Sequence, residues 1–267
     1  DVVKKILDEN LFSYAFQPIV EAATGDIYGY EALMRGECGG IVLPNIILEY
    51  ATKHNRLYDV ERATYFNVMS SVLENIALFG ERKIFINSIP GYFLKDDDFR
   101  ELRRQYGALL DRFVVEITEA TELKDDELEI LIKRSRKDAF GVAIDDYGTG
   151  YSNTSSLLRC LPNCIKIDRL LIANIHEDAK KQHFVNSIIE FAHDNGIKTL
   201  AEGVETGAEL RCVIAMGIDL IQGYYTARPS FEVIREIAPD IRNEMISVNV
   251  REQNQNDRRV YTVKEEK

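Results

Sequence analysis

Gly141-Val142-Ala143-Ile144-Asp145-Asp146-Tyr147-Gly148-Thr149-Gly150-Tyr151-Ser152 is the stretch whose reading decides the fold. Small and apolar residues run directly into two adjacent carboxylates, and the chain then turns through Gly-Thr-Gly. A short apolar run bounded by turn residues reads as a buried parallel strand. Its C-terminal end therefore carries Asp145 and Asp146 side by side, with a loop directly behind them. Two like charges there repel and raise one carboxyl pKa unless cations neutralise them. An Asx-type turn closing a strand would produce the same dipeptide. The other strand ends along the chain decide between the two.

Working outward, short β-rich runs alternate with amphipathic helices. Lys83 to Asn87 is a strand ending in Asn, and Phe113 to Glu119 one ending in Glu. A helix from Asp126 to Ala139 leads into the Asp145-Asp146 strand. Cys164 to Asp168 is a strand with Lys166 inside it. Gln182 to Asp194 is helical and capped by Asn195-Gly196, and Ile197 to Glu202 is a strand ending in Glu. A helix from Ala208 to Met216 stops at Gly217, Leu220 to Tyr225 is a strand, and Phe231 to Ile237 opens a last helix. At the other end, residues 1–10 read as a short polar helix. Phe12 to Val20 and Ile27 to Met34 flank Thr24-Gly25-Asp26 as an antiparallel hairpin. Residues 36–40 read as loop, the pattern turns helical from Pro44, and a longer helix runs from Leu57 to Leu78.

Repeated β-then-α units build a parallel sheet. About eight strands in roughly 250 residues close a TIM-like (β/α)8 barrel. The initial hairpin makes one barrel strand antiparallel. A doubly wound open sheet competes, but no Gly-rich nucleotide fingerprint follows any strand. The barrel is expected over residues 1–240. Residues 241–267 read as a polar tail, with Ser247 to Glu252 and Arg258 to Val263 as a possible β-hairpin.

Composition narrows the function classes. With 45% hydrophobic and 29% charged residues, the 267-residue chain has the balance of a soluble globular protein. No signal peptide or membrane-length apolar run is present, and the first residue is Asp, which suggests a segment cut from a longer protein. A net charge of −11 disfavours polymeric nucleic acid, whose backbone attracts Lys and Arg. Cys38, Cys160, Cys164 and Cys212 lack paired zinc spacing and read as buried reduced thiols, hence a cytoplasmic protein. His54, His176, His183 and His193 sit in polar helical segments and read as surface or satisfied residues.

In a barrel, side chains at the C-terminal strand ends converge on one pocket. Those ends carry Glu31, Asn87, Glu116, Asp145 with Asp146, Lys166, Glu202 and Gln222. Five carboxylates and one ammonium leave a formal charge of −4. In an apolar framework that is costly unless cations share the site. Oxygen donors without His or Cys suit Mg²⁺ or Mn²⁺, and two such ions would bring the site to neutrality. A phosphodiester could then approach, because paired divalent ions activate water and stabilise the departing alkoxide. Lys166 could hold the attacking water or meet charge on the phosphoryl oxygens.

At these residues the chain resembles a known family. Glu31-Ala32-Leu33 is similar to the signature tripeptide of the EAL-domain phosphodiesterases that hydrolyse cyclic di-GMP. The likeness spans roughly residues 12–232. It includes Gln17-Pro18-Ile19-Val20, Glu116-Ile117-Thr118-Glu119, Asp145 to Ser152, Lys166-Ile167-Asp168-Arg169, Ala201 to Thr206 and Gln222-Gly223-Tyr224. The resemblance implies a TIM-like barrel that opens cyclic di-GMP to linear pGpG. Glu31, Asn87, Glu116 and Asp145 would hold one metal. Asp145 and Asp146 would hold a second, with Glu202 supporting the cluster. Lys166 would act on the nucleophilic water and Gln222 would orient the Glu202 region. Gln17, Leu33 and Arg35 match substrate-contact positions, and Glu119 matches a glutamate bracing the loop after Asp146. Homodimerisation through that loop and fusion to sensory or cyclase domains are also implied. Departures are small: Tyr147 stands where Phe is usual, Ser88 directly follows Asn87, and residues 36–40 lack the usual aromatic. A cyclic di-GMP receptor without turnover, and a purely structural dimerisation domain, are the rival readings.

Overall fold

One sheet of nine strands organises the computed structural model, which describes residues 2–118, 125–148 and 162–265. β1 (Phe12–Glu21) pairs antiparallel with β2 (Ile27–Glu37) and, at its other edge, with β9 (Leu220–Ile221). From β2 the sheet runs parallel through β4 (Lys83–Asn87), β5 (Phe113–Thr118), β6 (Gly141–Tyr147), β7 (Cys164–Ile167) and β8 (Lys198–Ala201) to β9. Because β1 bonds to both β2 and β9, eight strands close into a barrel with β1 as the antiparallel member. β3 (Ile41–Val42) lies outside the ring, antiparallel to Gly36-Glu37. Part of the stretch read as loop is therefore a small hairpin that lengthens β2.

Side chains two residues apart on a strand share a face. Ile19, Phe85, Val114, Ala143, Cys164, Leu200 and Leu220 form one buried cluster, with a residue from each of seven ring strands. This is a filled layer of the barrel interior, the arrangement that makes such a barrel a core and not a pore.

Helices wrap the ring. α1 (Val2–Glu9) is amphipathic and buries Val3, Ile6 and Leu7. α2 (Pro44–Lys53) starts at its Pro, whose fixed φ suits a first helical position. α3 (Leu57–Glu74) buries Val60, Glu61, Thr64, Tyr65, Val68, Met69 and Val72, a stripe at three- and four-residue spacing. It breaks at Asn75, and α4 (Ile76–Phe79) follows as a separate turn. Among the described residues, α5 (Asp96–Tyr106), α6 (Asp125–Asp138), α7 (Arg169–Ile172), α8 (Ala179–Asp194) and α9 (Gly207–Ala215) follow in the outer layer before the C-terminal helix.

Two C-terminal expectations are corrected. Residues 231–237 are irregular, with Ile237 buried and Val233 and Ile234 packed against the core. The helix begins at Pro239 instead, since the residue before a proline is biased away from helical backbone. Nor is the tail a β-hairpin: α10 (Pro239–Glu265) is one helix through the whole segment. Its stripe, Ile241, Met245 and Val248, packs on the core. Arg242 pairs with Asp26 at 2.6 Å, and Asn249 donates to the Ala22 carbonyl at 2.7 Å. The β-branched residues suggested strands, but residues 253–257 hold no Gly or Pro to turn the chain. Tertiary docking decides in favour of the helix.

Cys164 is buried in the barrel layer, whereas Cys38 and Cys212 are only half-buried, so the expectation of buried thiols holds for one of these three. Cys160 lies outside the described residues. Among the described residues no helix is long and apolar enough to cross a membrane.

Candidate functional site

The next inward layer toward the C-terminal rim changes character completely. Two residues beyond Phe85, Val114, Ala143, Cys164, Leu200 and Leu220 stand Asn87, Glu116, Asp145, Lys166, Glu202 and Gln222. The same two-residue period that fills the barrel with apolar side chains therefore aims this polar set into its mouth. β1 runs the other way, so its member is Gln17, two residues before Ile19 and paired with Glu31 of β2.

Lys166 lies at the centre of this layer. It is fully buried, and its Nζ lies 2.6 Å from Glu116 Oε1, 2.8 Å from Asp145 Oδ1, 2.9 Å from Glu202 Oε1 and 3.6 Å from Glu31 Oε2. Burial alone would lower its pKa, but four surrounding carboxylates outweigh that and hold it well above the ordinary lysine value. The ammonium is charged at neutral pH. Asp168, two residues further along the chain, caps α7 by accepting from the Leu170 N–H at 2.6 Å.

One ammonium does not neutralise the carboxylates. Loss of hydration, with repulsion from Glu31, pushes Glu116 well above the usual carboxylate range. Burial and the neighbouring charges push Glu202 up to about 8. Partial desolvation and Asp145 raise Asp146 to about 6. Both Glu116 oxygens, Asp145 Oδ1 and Lys166 Nζ are buried without a well-aligned hydrogen bond, despite their short ion-pair distances. Orphaned carboxylate oxygens gathered around a single ammonium fit a divalent cation.

Asp145, Asp146 and Glu202 bring one carboxylate oxygen each to within 4.8 Å of one another. Asp146 reaches this cluster through a backbone departure, with φ at +56° and a register shift between β6 and β7 at the same place. On the other side, Asn87 donates to Glu31 Oε1 at 2.8 Å, and Gln222 donates to Glu31 Oε2 at 2.6 Å and to Gln17 Oε1 at 3.1 Å. Gln222 therefore braces Glu31, where the resemblance suggested the Glu202 region. Gly223 makes this possible: a Cβ there would lie 2.1 Å from the Val204 carbonyl oxygen, so the chain just after Gln222, which turns where a strand to Tyr225 was expected, lies directly against the segment after Glu202.

A groove of about 560 Å³ opens beside Glu31 and Asn87, with Leu33, Met34, Leu48 and Ile89 in its walls. Arg35 is half-buried and donates from Nη1 to the Met34 carbonyl at 2.7 Å. Glu119 and the loop from Thr149 to Ser152 lie outside the described residues.

Sequence reasoning missed Glu61. This residue of α3 is completely buried, accepts from the Ser88 hydroxyl, and accepts from the Ile89 N–H at 2.7 Å. It fixes the turn immediately after Asn87. The available signal was a carboxylate on the apolar stripe of an amphipathic helix, where no charge belongs without a partner.

The EAL domain family profile matches residues 2–229. The chain is 28% identical over 230 residues to the probable cyclic di-GMP phosphodiesterase PdeD of Escherichia coli K12, covering 84% of this chain and 42% of that protein. Among solved structures, the PaMucR phosphodiesterase in complex with c-di-GMP has a TM-score of 0.75 at 26% identity, covering 85% of this chain and 95% of that one. The manganese and cy-diGMP complex of Klebsiella pneumoniae BlrP1 at pH 9.0 has a TM-score of 0.74 at 30% identity, covering 82% and 56%. The chain spans less than half the length of curated relatives such as PdeD.

Proposed function

This chain belongs to the EAL domain family, and from that premise we propose that it hydrolyses cyclic di-GMP to linear pGpG with two divalent cations, Mg²⁺ or Mn²⁺. The observation that carries the reading is the polar layer itself. Glu31, Glu116, Asp145 and Glu202, far apart in sequence, all lie within 3.6 Å of Lys166 Nζ in a site with too little positive charge. The names of relatives and the ligands of similar structures support the substrate.

Glu31, Asn87, Glu116 and Asp145 would hold one ion, and Asp145 with Asp146 the other, with Glu202 beside both. When bound, such ions supply the charge that lets a phosphodiester approach and that makes water nucleophilic at neutral pH. The residues do the positioning. Lys166, held protonated, donates to the attacking water and to negative charge developing on the phosphoryl oxygens, so it orients and stabilises without acting as a base. Asn87 and Gln222 each donate to one oxygen of Glu31 and thereby fix its carboxylate plane. Arg35 suits a substrate phosphate, Leu33 offers an apolar face to a guanine, and Gln17 and Gln222 offer amide contacts at the same rim. Glu119 would brace the loop after Asp146. In this reading the chain is one unit of a longer signalling protein and dimerises through that loop.

The test is direct. The purified chain is incubated with cyclic di-GMP and Mn²⁺, and the nucleotides are separated by chromatography. Linear pGpG is the expected product. Tight binding without product would replace this reading with a receptor, and neither binding nor product would leave a scaffold.

A further inference from the structure

We propose that Glu61, on a helix outside the barrel, is a positioning residue for Asn87: by gripping the turn that follows β4 it sets the amide that the rim offers to a cation. The inference rests on the reading above that Asn87 is a cation ligand. It assigns a role to a carboxyl that is not itself part of the polar layer.

The sheet gives Asn87 little hold on its far side. β4 ends at this residue, and the Ser88 N–H donates to the Glu116 carbonyl at 3.0 Å as the chain leaves the ladder. Residues 88–95 are then irregular until α5 begins at Asp96. α3 supplies the missing hold. Glu61 accepts from the Ser88 hydroxyl and, at 2.7 Å, from the Ile89 N–H. Two donors from consecutive residues on one carboxyl fix both the position and the orientation of the turn against α3. The same turn faces the site, since Ser88, Ile89 and Pro90 line the groove beside Glu31. Asn87, directly before it, donates to Glu31 Oε1 at 2.8 Å.

A carboxyl in this place is costly. Glu61 is 0% exposed, and the two partners that hold it are a hydroxyl and a peptide N–H, both neutral. It shares the core-facing stripe of α3 with Val60, Tyr65 and Val68, where an apolar side chain would pack without losing hydration. Leucine could fill that volume, but it could not grip the turn. Helix packing therefore does not account for a carboxyl at position 61, whereas placement of Asn87 does.

The experiment titrates Mn²⁺ into wild type, Glu61→Leu, Glu61→Gln, Asn87→Ala and the Glu61→Leu/Asn87→Ala double variant, reading free Mn²⁺ by electron paramagnetic resonance with melting temperatures in parallel. Glu61→Leu should bind Mn²⁺ at least about 10-fold more weakly, the loss typical of partners that orient a ligand. Glu61→Gln keeps an oxygen for the Ile89 N–H and an NH₂ that can donate to the Ser88 oxygen, so it should stay within about 3-fold of wild type. With Asn87 already replaced, Glu61→Leu should cost little more, because residues that act through one another are not additive. Val72→Ala, a buried site about three turns further along α3, should lower the melting temperature and leave Mn²⁺ affinity unchanged. If Glu61→Leu does not fold, Ser88→Ala takes its place in the cycle and should weaken binding about 3-fold or more, a loss that Asn87→Ala again absorbs. Wild-type affinity in Glu61→Leu, an equal further loss in the Asn87→Ala background, or the same loss in Val72→Ala overturns the proposal while leaving the cation site intact. Unchanged binding by Asn87→Ala overturns it together with the ligand assignment, and no Mn²⁺ uptake by wild type overturns the cation reading as well.

Discussion

Asp145 and Asp146 are consecutive, yet both bring an oxygen within 4.8 Å of a Glu202 oxygen. Neighbours on a regular strand face opposite ways. The release comes at Asp146, whose φ of +56° takes the backbone out of the strand. Asp and Asn tolerate this region, and β-branched residues do not. We predict that Asp146→Asn keeps its melting temperature but binds Mn²⁺ at least about 10-fold more weakly, the lower end of what even outer-shell losses cost. Asp146→Val should lose binding and also about 1–2 kcal/mol of stability. Equal stability in the two variants would count against the backbone argument.

The second prediction separates the rim from the rest of the molecule. Glu116→Gln or Asp145→Asn removes a charge that Lys166 contacts at 2.6 or 2.8 Å, and turnover should fall to background. His193→Ala should leave turnover near normal. Its ring meets Asp219, which holds the Thr199 N–H near the start of β8, at the opposite end of the barrel. Similar rates for all three variants would dissolve the site assignment.

Strand ends were legible in the sequence because a two-residue period is blind to context. Once Val142 to Ile144 is a buried strand, Asp145 must point where Ala143 points. The same logic placed Asn87, Glu116, Lys166, Glu202 and Gln222 at one rim. What the sequence hid depends on tertiary contact. α10 is helical because Met245 and Val248 dock on the barrel, and nothing local marks Val248 as docked. Residues 231–237 look helical by composition but pack as irregular chain ahead of Pro239. Gln222 braces Glu31 because β9 lies beside β1, which only closure of the ring creates.

Docking of α10 gives a stability prediction. Met245 is fully buried, and Met245→Ala should cost about 2–5 kcal/mol in urea unfolding, as for other buried Met-to-Ala changes. The exposed Ile246, on the neighbouring face, should lose under about 0.5 kcal/mol when changed to Ala. Equal losses at the two positions would mean that the helix does not dock in solution.

Glu61 predicts a pH dependence. Burial raises its pKa to about 8 from an ordinary 4.5, although Ser88 and Ile89 donate to it. Below about 4.5 the carboxyl is neutral in folded and unfolded chains alike, so the shift costs nothing. Between about 4.5 and 8 the unfolded chain releases the proton that the folded chain keeps, and stability falls as pH rises. The slope is on the order of 1.4 kcal/mol per pH unit, and it ends above about 8. Glu61→Gln removes this component while adding a constant offset for its altered hydrogen bonds. Unfolding free energies of both proteins from pH 5 to 8, with Mn²⁺ present to quiet the rim carboxylates, should converge as pH rises if wild type starts the more stable, or diverge if it starts the less stable. Parallel curves would show that Glu61 titrates normally.

The last prediction concerns the identity of the ion. The candidate ligands are oxygens gathered at one rim of the barrel, with Asp145, Asp146 and Glu202 oxygens within 4.8 Å of one another. Mg²⁺ demands a tight octahedron at about 2.0–2.1 Å, while Ca²⁺ takes six to eight oxygens at about 2.3–2.6 Å. The rim can supply oxygens to either, so Ca²⁺ should bind and raise the melting temperature. It should not support comparable turnover, because a looser, larger shell displaces water from the line that Lys166 and the rim carboxylates define. Activity in Mn²⁺ should therefore fall as Ca²⁺ is added and return with excess Mn²⁺. Full turnover with Ca²⁺ alone would show that ligand spacing at this rim does not set the reaction geometry.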